Sequence, residues 1–337
     1  MTSPTLRDVA RQAHVSVASA SRAINGHSNV ADSTRRKVLL AAKRLNYVPH
    51  SGARSLTTRR SNTIGVVLPD LFGEFFSEIM RGIDSASHSR GLQLLLANMH
   101  GSSVETTAAI RTMRGRVDGL LVMWPSVDSE LLYENLPRGL PTVVMNGPLA
   151  SPGHASIAID NFTGAKAMVE HLVERGFRRI AHISGPQGNS DAEERFRGFR
   201  AAARKLLGDH DPIVFQGDFN EESGRAAGQA IAADRRAIDA VFAGNDAMAV
   251  GCQIALQEAG LTVPDDIAVA GFDDIPIARY VSPALTTMRV HIAELGARAL
   301  ELLVERLDQA GERGPLAALT LTPELVVRPS TGRNAAR

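Results

Sequence analysis

The order of apolar and polar positions divides the chain into a short helical stretch and a long stretch of alternating strands and helices. Near the N-terminus, Leu6, Val9 and Ala13 recur at helical spacing. Thr5 lies three residues before Asp8, which is the spacing of a capping box. The pattern predicts a first helix with one apolar face.

A second short helix follows after a tight bend. Ser16 can cap it, it runs through about Ile24, and Asn25-Gly26 ends it because both residues tolerate positive φ. A third apolar pattern over residues 32–45 closes a small three-helix head. Two helices of about two turns joined by a short bend fit a helix-turn-helix, although an ordinary helical hairpin fits the same pattern.

From residue 63 onwards, buried-type strands alternate with helices. Strands are predicted at 64–68, 92–97, 117–123 and 141–145, and a second set at 179–183, 213–216, 238–242 and 266–271. Helices are predicted at 74–90, 103–114 and 128–135, and a second set at 162–175, 191–206, 221–233 and 246–259. Two such sets predict an α/β body of two doubly wound parallel-sheet lobes, with a ligand at the carboxyl ends of the strands.

These patterns set the domain boundaries. We predict a helix-turn-helix domain over 1–49, a linker over 50–61 and a two-lobed body over 62–337. The N-lobe takes about 62–160 and 291–320, and the C-lobe takes about 161–290 and 321–330. Residues 50–58 have no core of their own, so we expect them to be disordered until something orders them.

Charge separates the two interpretations of the head. Residues 1–60 carry a net charge of +9, whereas the rest of the chain carries −8. A basic head on a mildly acidic body is the electrostatic footprint of nucleic-acid binding. The charge therefore favours a helix-turn-helix that reads DNA.

Composition excludes several other classes of protein. The chain has 44% apolar and 22% charged residues, a single cysteine (Cys252), no apolar signal region and no long apolar run. We expect a cytoplasmic protein that contains no disulfide and no membrane span. The histidines show no metal spacing, and no phosphate loop or nucleophile elbow is present, so we expect no cofactor, no metal and no enzyme activity.

Short polar side chains and aromatic rings follow the predicted strands. This combination suits a polyhydroxylated ligand, because charged groups bind hydroxyls while rings cover the apolar face of a sugar. Each Asp or Asn could instead cap a helix; we favour the cap for Asp246 and the ligand for Asn146, Arg195 and Asp273. The predicted ligand set is Asp70, Phe75, Phe76, Trp124, Asn146, Asp160, Asp191, Arg195, Phe219, Asn245 and Asp273.

The chain as a whole resembles the lactose- and galactose-repressor (LacI/GalR) family of bacterial transcription regulators. The segments that carry the resemblance are Leu6-Arg-Asp-Val-Ala10, Val15-Ser16, Ser21-Arg22-Ala-Ile-Asn25, Leu45-Asn-Tyr-Val-Pro49, Ala53-Arg-Ser-Leu56, Val117-Asp-Gly-Leu-Leu-Val122, Ile159-Asp-Asn161, Gly244-Asn-Asp-Ala-Met248 and Leu285-Thr-Thr287. Their order and spacing, more than any single segment, support the resemblance.

The resemblance implies which residues meet DNA. The recognition helix in the major groove would carry Ser16, Val17, Ala18, Ser21 and Arg22. Phosphates would be held by Thr5, Asn25, Thr34 and Tyr47, and Leu6 and Ala53 complete the DNA-binding set. Leu56 would enter the minor groove at the centre of an inverted repeat, although Gly52 departs from the family's better helix formers at that point in the linker.

The resemblance also implies an effector and an assembly. It maps effector contacts onto Phe75, Asn146, Arg195, Phe219, Asn245 and Asp273. The run from Asn189 to Arg195 resembles the sugar-responsive members, since purine-responsive members carry an arginine where this chain has Asn189. No leucine heptads follow Arg328, so we expect a dimer.

The resulting hypothesis is a homodimeric repressor of a carbohydrate-use operon, controlled by a mono- or disaccharide. Its partners would be an inverted-repeat operator and a second copy of the chain. The alternatives are a two-lobed sugar receptor of the periplasmic type, a nucleotide-dependent α/β enzyme, and a regulator that answers to a purine or another metabolite. Repression and activation are both open at this point.

Overall fold

The computed structural model describes residues 4–25, 27, 29–47, 60–99, 103–126, 128, 130–137, 139–147, 153–208, 211–233, 238–309 and 317–332. Contacts divide the chain into two units, Met1–Asn62 and Thr63–Arg337. Ala53, Leu56 and the rest of the predicted linker from 50 to 59 lie outside the described residues.

The first unit is a three-helix head. Its helices are α1 (Leu6–Ala13), α2 (Val17–Ile24) and α3 (Asp32–Arg44). The predicted capping box is present, because Thr5 Oγ1 accepts from the amide of Asp8 and the Asp8 carboxylate accepts from the amide of Thr5. α2 begins at the Ser16 cap and ends at Asn25. Asn25 has φ of −82°, so it does not adopt the positive φ that its residue type allows.

Small apolar side chains fill the head. Val9 on α1, Ala20 on α2 and Val38 on α3 are fully buried and form one cluster. Small residues let three short helices approach closely, which gives so small a unit a core of its own.

The second unit is the α/β body. Its strands are β1 (Thr63–Leu68), β2 (Gln93–Asn98), β3 (Gly119–Met123), β4 (Thr142–Met145), β5 (Ala155–Ile159), β6 (Ile180–Ser184), β7 (Ile213–Gln216), β8 (Ala240–Ala243), β9 (Ala268–Ala270), β10 (Thr287–Arg289), β11 (Ala318–Leu321) and β12 (Glu324–Val326). Its α-helices are α4 (Glu74–His88), α5 (Ser103–Met113), α6 (Glu130–Asn135), α7 (Asn161–Glu174), α8 (Ser190–Leu207), α9 (Glu221–Ala233), α10 (Asp246–Glu258) and α11 (Ile292–Asp308). The predicted strands and helices occur in the predicted order, and β5, β10, β11, β12 and α11 are present in addition to them.

Two parallel sheets organise these elements into two lobes. The N-lobe sheet has the order β11-β5-β4-β3-β1-β2 and the C-lobe sheet has the order β7-β6-β8-β9, and all of their pairs are parallel. β1, β3, β4 and β5 are almost wholly buried, as expected when helices cover both faces of a sheet. The predicted fold class is therefore confirmed.

The chain passes between the lobes three times. It leaves the N-lobe after β5, returns after β10 into α11, and leaves again after β11 into β12. β10 and β12 form a separate antiparallel pair outside both sheets. Within the described residues, no helix has the length and apolar character needed to span a membrane.

Candidate DNA-reading head and effector cavity

α2 presents an exposed face with one long cation. Ser16, Val17, Ala18 and Arg22 are exposed, and Ser21 is half-buried. Within the described part of the head, the guanidinium of Arg22 makes one hydrogen bond, a long one of 3.4 Å from Nε to the Ala18 carbonyl oxygen. The terminal nitrogens of Arg22 are therefore available to the edge of a base pair.

The remaining predicted DNA contacts have structural partners in the head. Leu6 and Tyr47 pack against its core, Asn25 Nδ2 donates to Ser21 Oγ over 3.4 Å, and Thr34 is half-buried in the first turn of α3. Thr5 Oγ1 donates to the Asp8 carboxylate over 2.6 Å. The predicted phosphate contacts of Thr5, Asn25, Thr34 and Tyr47 therefore stay predictions.

The body contains a cavity of about 300 Å³ at the carboxyl ends of the strands. That volume lies at the lower end of the range for small-molecule sites. Nine of the predicted ligand residues line it: Asp70, Phe75, Phe76, Asn146, Asp191, Arg195, Phe219, Asn245 and Asp273. Asp70 and Asp273, which are 203 positions apart in sequence, meet there because each follows a strand of one of the two sheets.

Arg195 is the central cation of this cavity. Its side chain is buried, its Nε donates to Asn161 Oδ1 over 2.8 Å, and its Nη1 donates to the Gly244 carbonyl oxygen over 2.5 Å. Its guanidinium carbon lies 4.0 Å from the centre of the Phe272 ring. These contacts fix the plane of the guanidinium group before any ligand binds.

Asp273 faces Arg195 across the cavity. Its Oδ1 lies 3.0 Å from Arg195 Nη2 as an ion pair, but the geometry is not that of a hydrogen bond, so this buried oxygen has no hydrogen-bond donor within the described residues. Burial raises the pKa of Asp273 to about 6, although Arg195 opposes the shift. A ligand hydroxyl could supply the missing donor.

Asp191 joins the two lobes at the same site. Its carboxylate accepts from Asn146 Nδ2 over 2.9 Å and from Asn161 Nδ2 over 2.8 Å. Burial raises its pKa, and Arg195 and the two amides oppose that rise. Asn146 Oδ1 is also buried without a hydrogen-bond partner among the described residues, so it is a second acceptor without a donor.

The backbone is strained at three residues that line the cavity. Asn146, Phe219 and Asp273 adopt left-handed φ values of 49°, 73° and 115°. Such conformations are unfavourable for residues other than glycine and concentrate at binding sites, where the surrounding structure holds them. The strain points to the same part of the body as the unpaired oxygens.

Aromatic rings supply the apolar part of the lining. Phe75 and Phe76 pack edge to face with their centroids 5.5 Å apart, and Phe219 lies 5.6 Å from the Arg195 guanidinium carbon. Rings beside buried hydrogen-bonding groups suit a ligand with one apolar face and a rim of hydroxyls.

The structure corrects three of the sequence predictions. Trp124 is buried in the N-lobe core, where its Nε1 donates to the Asp128 carbonyl oxygen, and it does not line the cavity. Asp160 caps α7 by accepting from the amide of Thr163, and it does not line the cavity either.

The third correction concerns Asp246, for which we favoured a cap. Asn245 is the cap of α10, since its side chain accepts from the amide of Met248. Asp246 is instead fully buried, and its carboxylate accepts from the Thr287 hydroxyl over 2.5 Å and from the amide of Ile275 over 2.9 Å.

Several residues that meet in or around the cavity were missed. The lining also includes Phe72, Glu74, Asn189, Asp218, Asn220 and Glu221. Each follows a strand by a few residues, so a search extended further into the loops could have found them. Asn161 was missed as well, although its motif was noted, because its role depends on reaching both Asp191 and Arg195.

Hydrogen bonds across the cleft hold the two lobes together. The amide of Ile277 in the C-lobe donates to Glu74 Oε2 over 2.8 Å, and the amide of Ser190 donates to the Pro125 carbonyl oxygen over 3.1 Å. With the bond from Asn146 to Asp191, these contacts close the cleft around the cavity.

Two protein-family models match the chain. Residues 5–50 match the model described as bacterial regulatory proteins, lacI family, and residues 169–331 match a periplasmic binding protein-like domain. The first match covers the head and the second lies in the body.

Curated relatives match over nearly the full chain. The HTH-type transcriptional repressor PurR of Photobacterium profundum is 37% identical over 97% of this chain and 98% of its own length. The ribose operon repressor of Escherichia coli K12 is 36% identical over 97% of this chain and 99% of its own length.

Solved structures of transcription regulators also match the chain over nearly its full length. A Lac repressor dimer bound to operator and the anti-inducer ONPF superimposes with a TM-score of 0.85 at 28% identity, over 98% of this chain and 99% of that chain. A complex of the transcriptional regulator CelR with cellobiose gives a TM-score of 0.72 at 34% identity, over 97% of this chain and 99% of that chain.

Proposed function

The chain belongs to the lacI family of bacterial regulatory proteins, and we propose that it is a homodimeric repressor whose hold on operator DNA is switched by a small sugar bound between its lobes. Members of this family are DNA-binding regulators and not enzymes. The proposal adds the class of effector, the residues that bind it and the way in which binding is transmitted.

One observation carries the choice of a sugar. The cavity contains two buried oxygens that accept no hydrogen bond from the described residues: Asn146 Oδ1, and Asp273 Oδ1, which is compensated by its ion pair with Arg195. A buried acceptor without a donor is unfavourable by about 1–3 kcal/mol, and the hydroxyl groups of a sugar are donors. Phe75, Phe76 and Phe219 would cover the apolar face of the ring.

Similar proteins support the same class. One relative is a ribose operon repressor, and one structural neighbour of the same family, from Enterococcus faecium, holds ribose at 28% identity and a TM-score of 0.72. CelR holds cellobiose. A cavity of about 300 Å³ is of the size used for small molecules, which suits a small sugar.

The head supports the choice of partner. An exposed α2 that carries Arg22 suits the major groove, and a two-fold dimer matches an inverted repeat. Because its proposed partner is bacterial DNA, we expect the protein to act in the cytoplasm. Leu56 completes the proposal as the linker residue that enters the minor groove, where an apolar side chain unstacks a base step.

The proposed switch acts through the angle between the lobes. Both lobes contribute to the cavity, so a bound sugar adds contacts across the cleft and changes the relative stability of the open and closed forms. A coupling of about 1–3 kcal/mol between sugar and DNA would change operator affinity about 5–150-fold.

A thermal-shift screen of the full chain against pentoses, hexoses, disaccharides, sugar phosphates and purines tests the effector. A ligand at about 100 times its Kd adds about 2.7 kcal/mol, which corresponds to a rise of roughly 5 °C for a body of this size. We expect one sugar to give this rise and Asn146→Ala to abolish it. Gln229→Ala, an exposed change on α9, is the matched control and should keep the rise. A rise with a purine and none with any sugar would refute the proposed class.

A further inference from the structure

Two adjacent aspartates face different surroundings at the junction of the lobes. Asp273 lines the effector cavity and pairs with Arg195, whereas Asp274 does not line it. Both residues have left-handed φ, 115° for Asp273 and 58° for Asp274, so the backbone turns sharply between their side chains. Both aspartates line a second cavity of about 330 Å³, so Asp273 borders the two cavities and Asp274 only this one.

The Asp274 carboxylate is the centre of a cluster of arginines. Arg328 Nη2 donates to its Oδ1 over 2.5 Å, and Arg289 Nε donates to its Oδ2 over 2.7 Å. Arg279 Nη2 lies 3.5 Å from Oδ2. The Asp274 side chain is 1% exposed, and although burial opposes the shift, the bonds from Arg328 and Arg289 hold its pKa below the usual value.

The two closest arginines lie on the two segments that cross between the lobes late in the chain. Arg289 ends β10, from which the chain returns to the N-lobe through α11. Arg328 follows β12, through which the chain comes back to the C-lobe. A single carboxylate therefore binds both crossing segments, and it is one peptide bond away from the aspartate in the cavity.

We propose that Asp274 is the positioning residue that transmits a change at Asp273 in the effector cavity to the two crossing segments. The proposal rests on the proposed function, because it assumes that the cavity is the effector site. A shift of Asp273 toward a ligand turns the shared peptide, and the buried carboxylate of Asp274 then moves with Arg289 and Arg328, since leaving either arginine unpaired is unfavourable.

A competing route exists through the backbone. The amide of Asp273 donates to the Met288 carbonyl oxygen over 2.8 Å, so β10 could follow the cavity without help from Asp274. A merely structural Asp274 would lower stability when it is replaced, but it would leave the response of β10 and β12 to a change in the cavity unaltered.

A double-mutant cycle on the full chain without ligand and without DNA separates these routes. Asp273→Asn serves as the change in the cavity, and Asp274→Asn removes the proposed link. Hydrogen exchange is followed by mass spectrometry in peptides that contain residues 286–290 and 324–328. Because the readout needs no sugar and no operator, a wrong effector class would not affect its outcome.

We expect Asp273→Asn to change exchange of both strands about fivefold or more in the natural background, and by less than about twofold when Asp274→Asn is present. An equal change in both backgrounds would overturn the proposal and favour the backbone route. The matched control is Asp239→Asn, which makes the same change at a C-lobe aspartate whose carboxylate accepts from the backbone amides of Arg178 and Arg179. In its background the response should persist.

A second variant allows the same test if Asp274→Asn is poorly folded. Arg289 is 35% exposed and Arg328 is 12% exposed, so Arg289→Gln is the milder change. It removes the contact between Asp274 and Arg289 in β10 and keeps the contact between Asp274 and Arg328, which follows β12. The response to Asp273→Asn should then fall in residues 286–290 and persist in residues 324–328, and an unchanged response in both strands would contradict the proposal.

Discussion

Arg195 combines two tasks at the residue scale. It has five N–H donors, of which Nε and Nη1 each use one on protein oxygens while Nη2 faces Asp273. Donors therefore remain for a ligand on a guanidinium group whose plane is already fixed against Phe272. A lysine would offer a point charge without this planar fork, so the position requires arginine specifically.

A substitution of Arg22 tests, also at the residue scale, whether the protein contacts base edges directly. Arg22→Ala should weaken binding to the cognate operator by about 1–3 kcal/mol and relax base preference at one position of each half-site, because a bidentate contact to guanine is lost. Fluorescence anisotropy with cognate and randomised duplexes measures both effects.

Arg11→Ala is the matched control for Arg22. Arg11 is an exposed arginine on α1 whose Nη1 lies 3.6 Å from Asp8 Oδ1, so the change removes the same charge from the head. The control should lower affinity for all sequences alike. Equal losses for Arg22→Ala on cognate and random DNA would identify Arg22 as a phosphate contact instead.

Asp273 gives a prediction on pH. Its pKa is about 6 in the folded chain against 3.8 for the free group, so the folded state holds the proton more tightly than the unfolded state. Ionisation of Asp273 therefore lowers the free energy of unfolding as pH rises from about 4 to about 6. Asp273→Asn should remove this fall.

Urea denaturation of the natural protein and of Asp273→Asn at pH 4.5 and pH 7 measures the difference. The variant should gain relative to the natural protein at the higher pH, because it no longer ionises a buried carboxyl. Parallel pH profiles for the two proteins would show that Arg195 compensates the burial of Asp273 fully.

At the scale of elements, glycines set the distance between α9 and α10. A Cβ at Gly251 would lie 1.9 Å from the Glu221 carbonyl oxygen, and one at Gly224 would lie 2.1 Å from the Met248 carbonyl oxygen. The two helices thus touch through their backbones. Because α10 begins at the Asn245 cap beside the cavity, this close packing also positions part of the ligand site.

Gly251→Ala should therefore destabilise the body, although alanine is favoured over glycine by about 1 kcal/mol inside a helix. The added methyl group would have to push a backbone oxygen away, and overpacking of this kind is unfavourable by about 1–3 kcal/mol. Chemical denaturation measures the change, with Gln229→Ala on the exposed side of α9 as a control that should stay within about 0.5 kcal/mol. A stabilised Gly251→Ala would mean that α9 and α10 separate easily.

At the scale of the whole molecule, the chain divides its work between two units with separate cores. The head has its own apolar cluster and a charge of +9 over residues 1–60, while the acidic body holds the cavity. Because the head is basic and the body is acidic, the negative charge of DNA is attracted to the head and repelled by the body.

A fragment of residues 62–337 should therefore keep the melting temperature of the body and the rise given by the sugar, and should lose all measurable DNA binding. Differential scanning calorimetry and anisotropy measure these properties. Full-length Arg22→Ala is the control that keeps both units. A fragment that loses the rise with the sugar would show that the head is needed to form the cavity.

The sequence by itself determined the head and most elements of the body, in their order, but not β5, β10, β11, β12 or α11. Thr5 with Asp8, and Ser16 with the turn that it caps, are local signals that act over three residues, so periodicity and capping chemistry were enough to predict α1, α2 and the fold class. The charge of the head is likewise a property of composition. Nine of the eleven residues predicted to bind a ligand line the cavity, because a parallel sheet brings the ends of its strands to one edge.

Only the tertiary structure decided which polar residues line the cavity and which stabilise the fold. Asp160 and Asp246 follow strands as Asp273 does, yet one caps α7 and the other is buried against Thr287, which is 41 positions away. Asn161 joins Asp191 and Arg195 from 30 and 34 positions away, and Asp274 meets Arg328 from 54 positions away. Local pattern carries no information about such pairs, because their geometry is fixed by how distant segments of the C-lobe pack together.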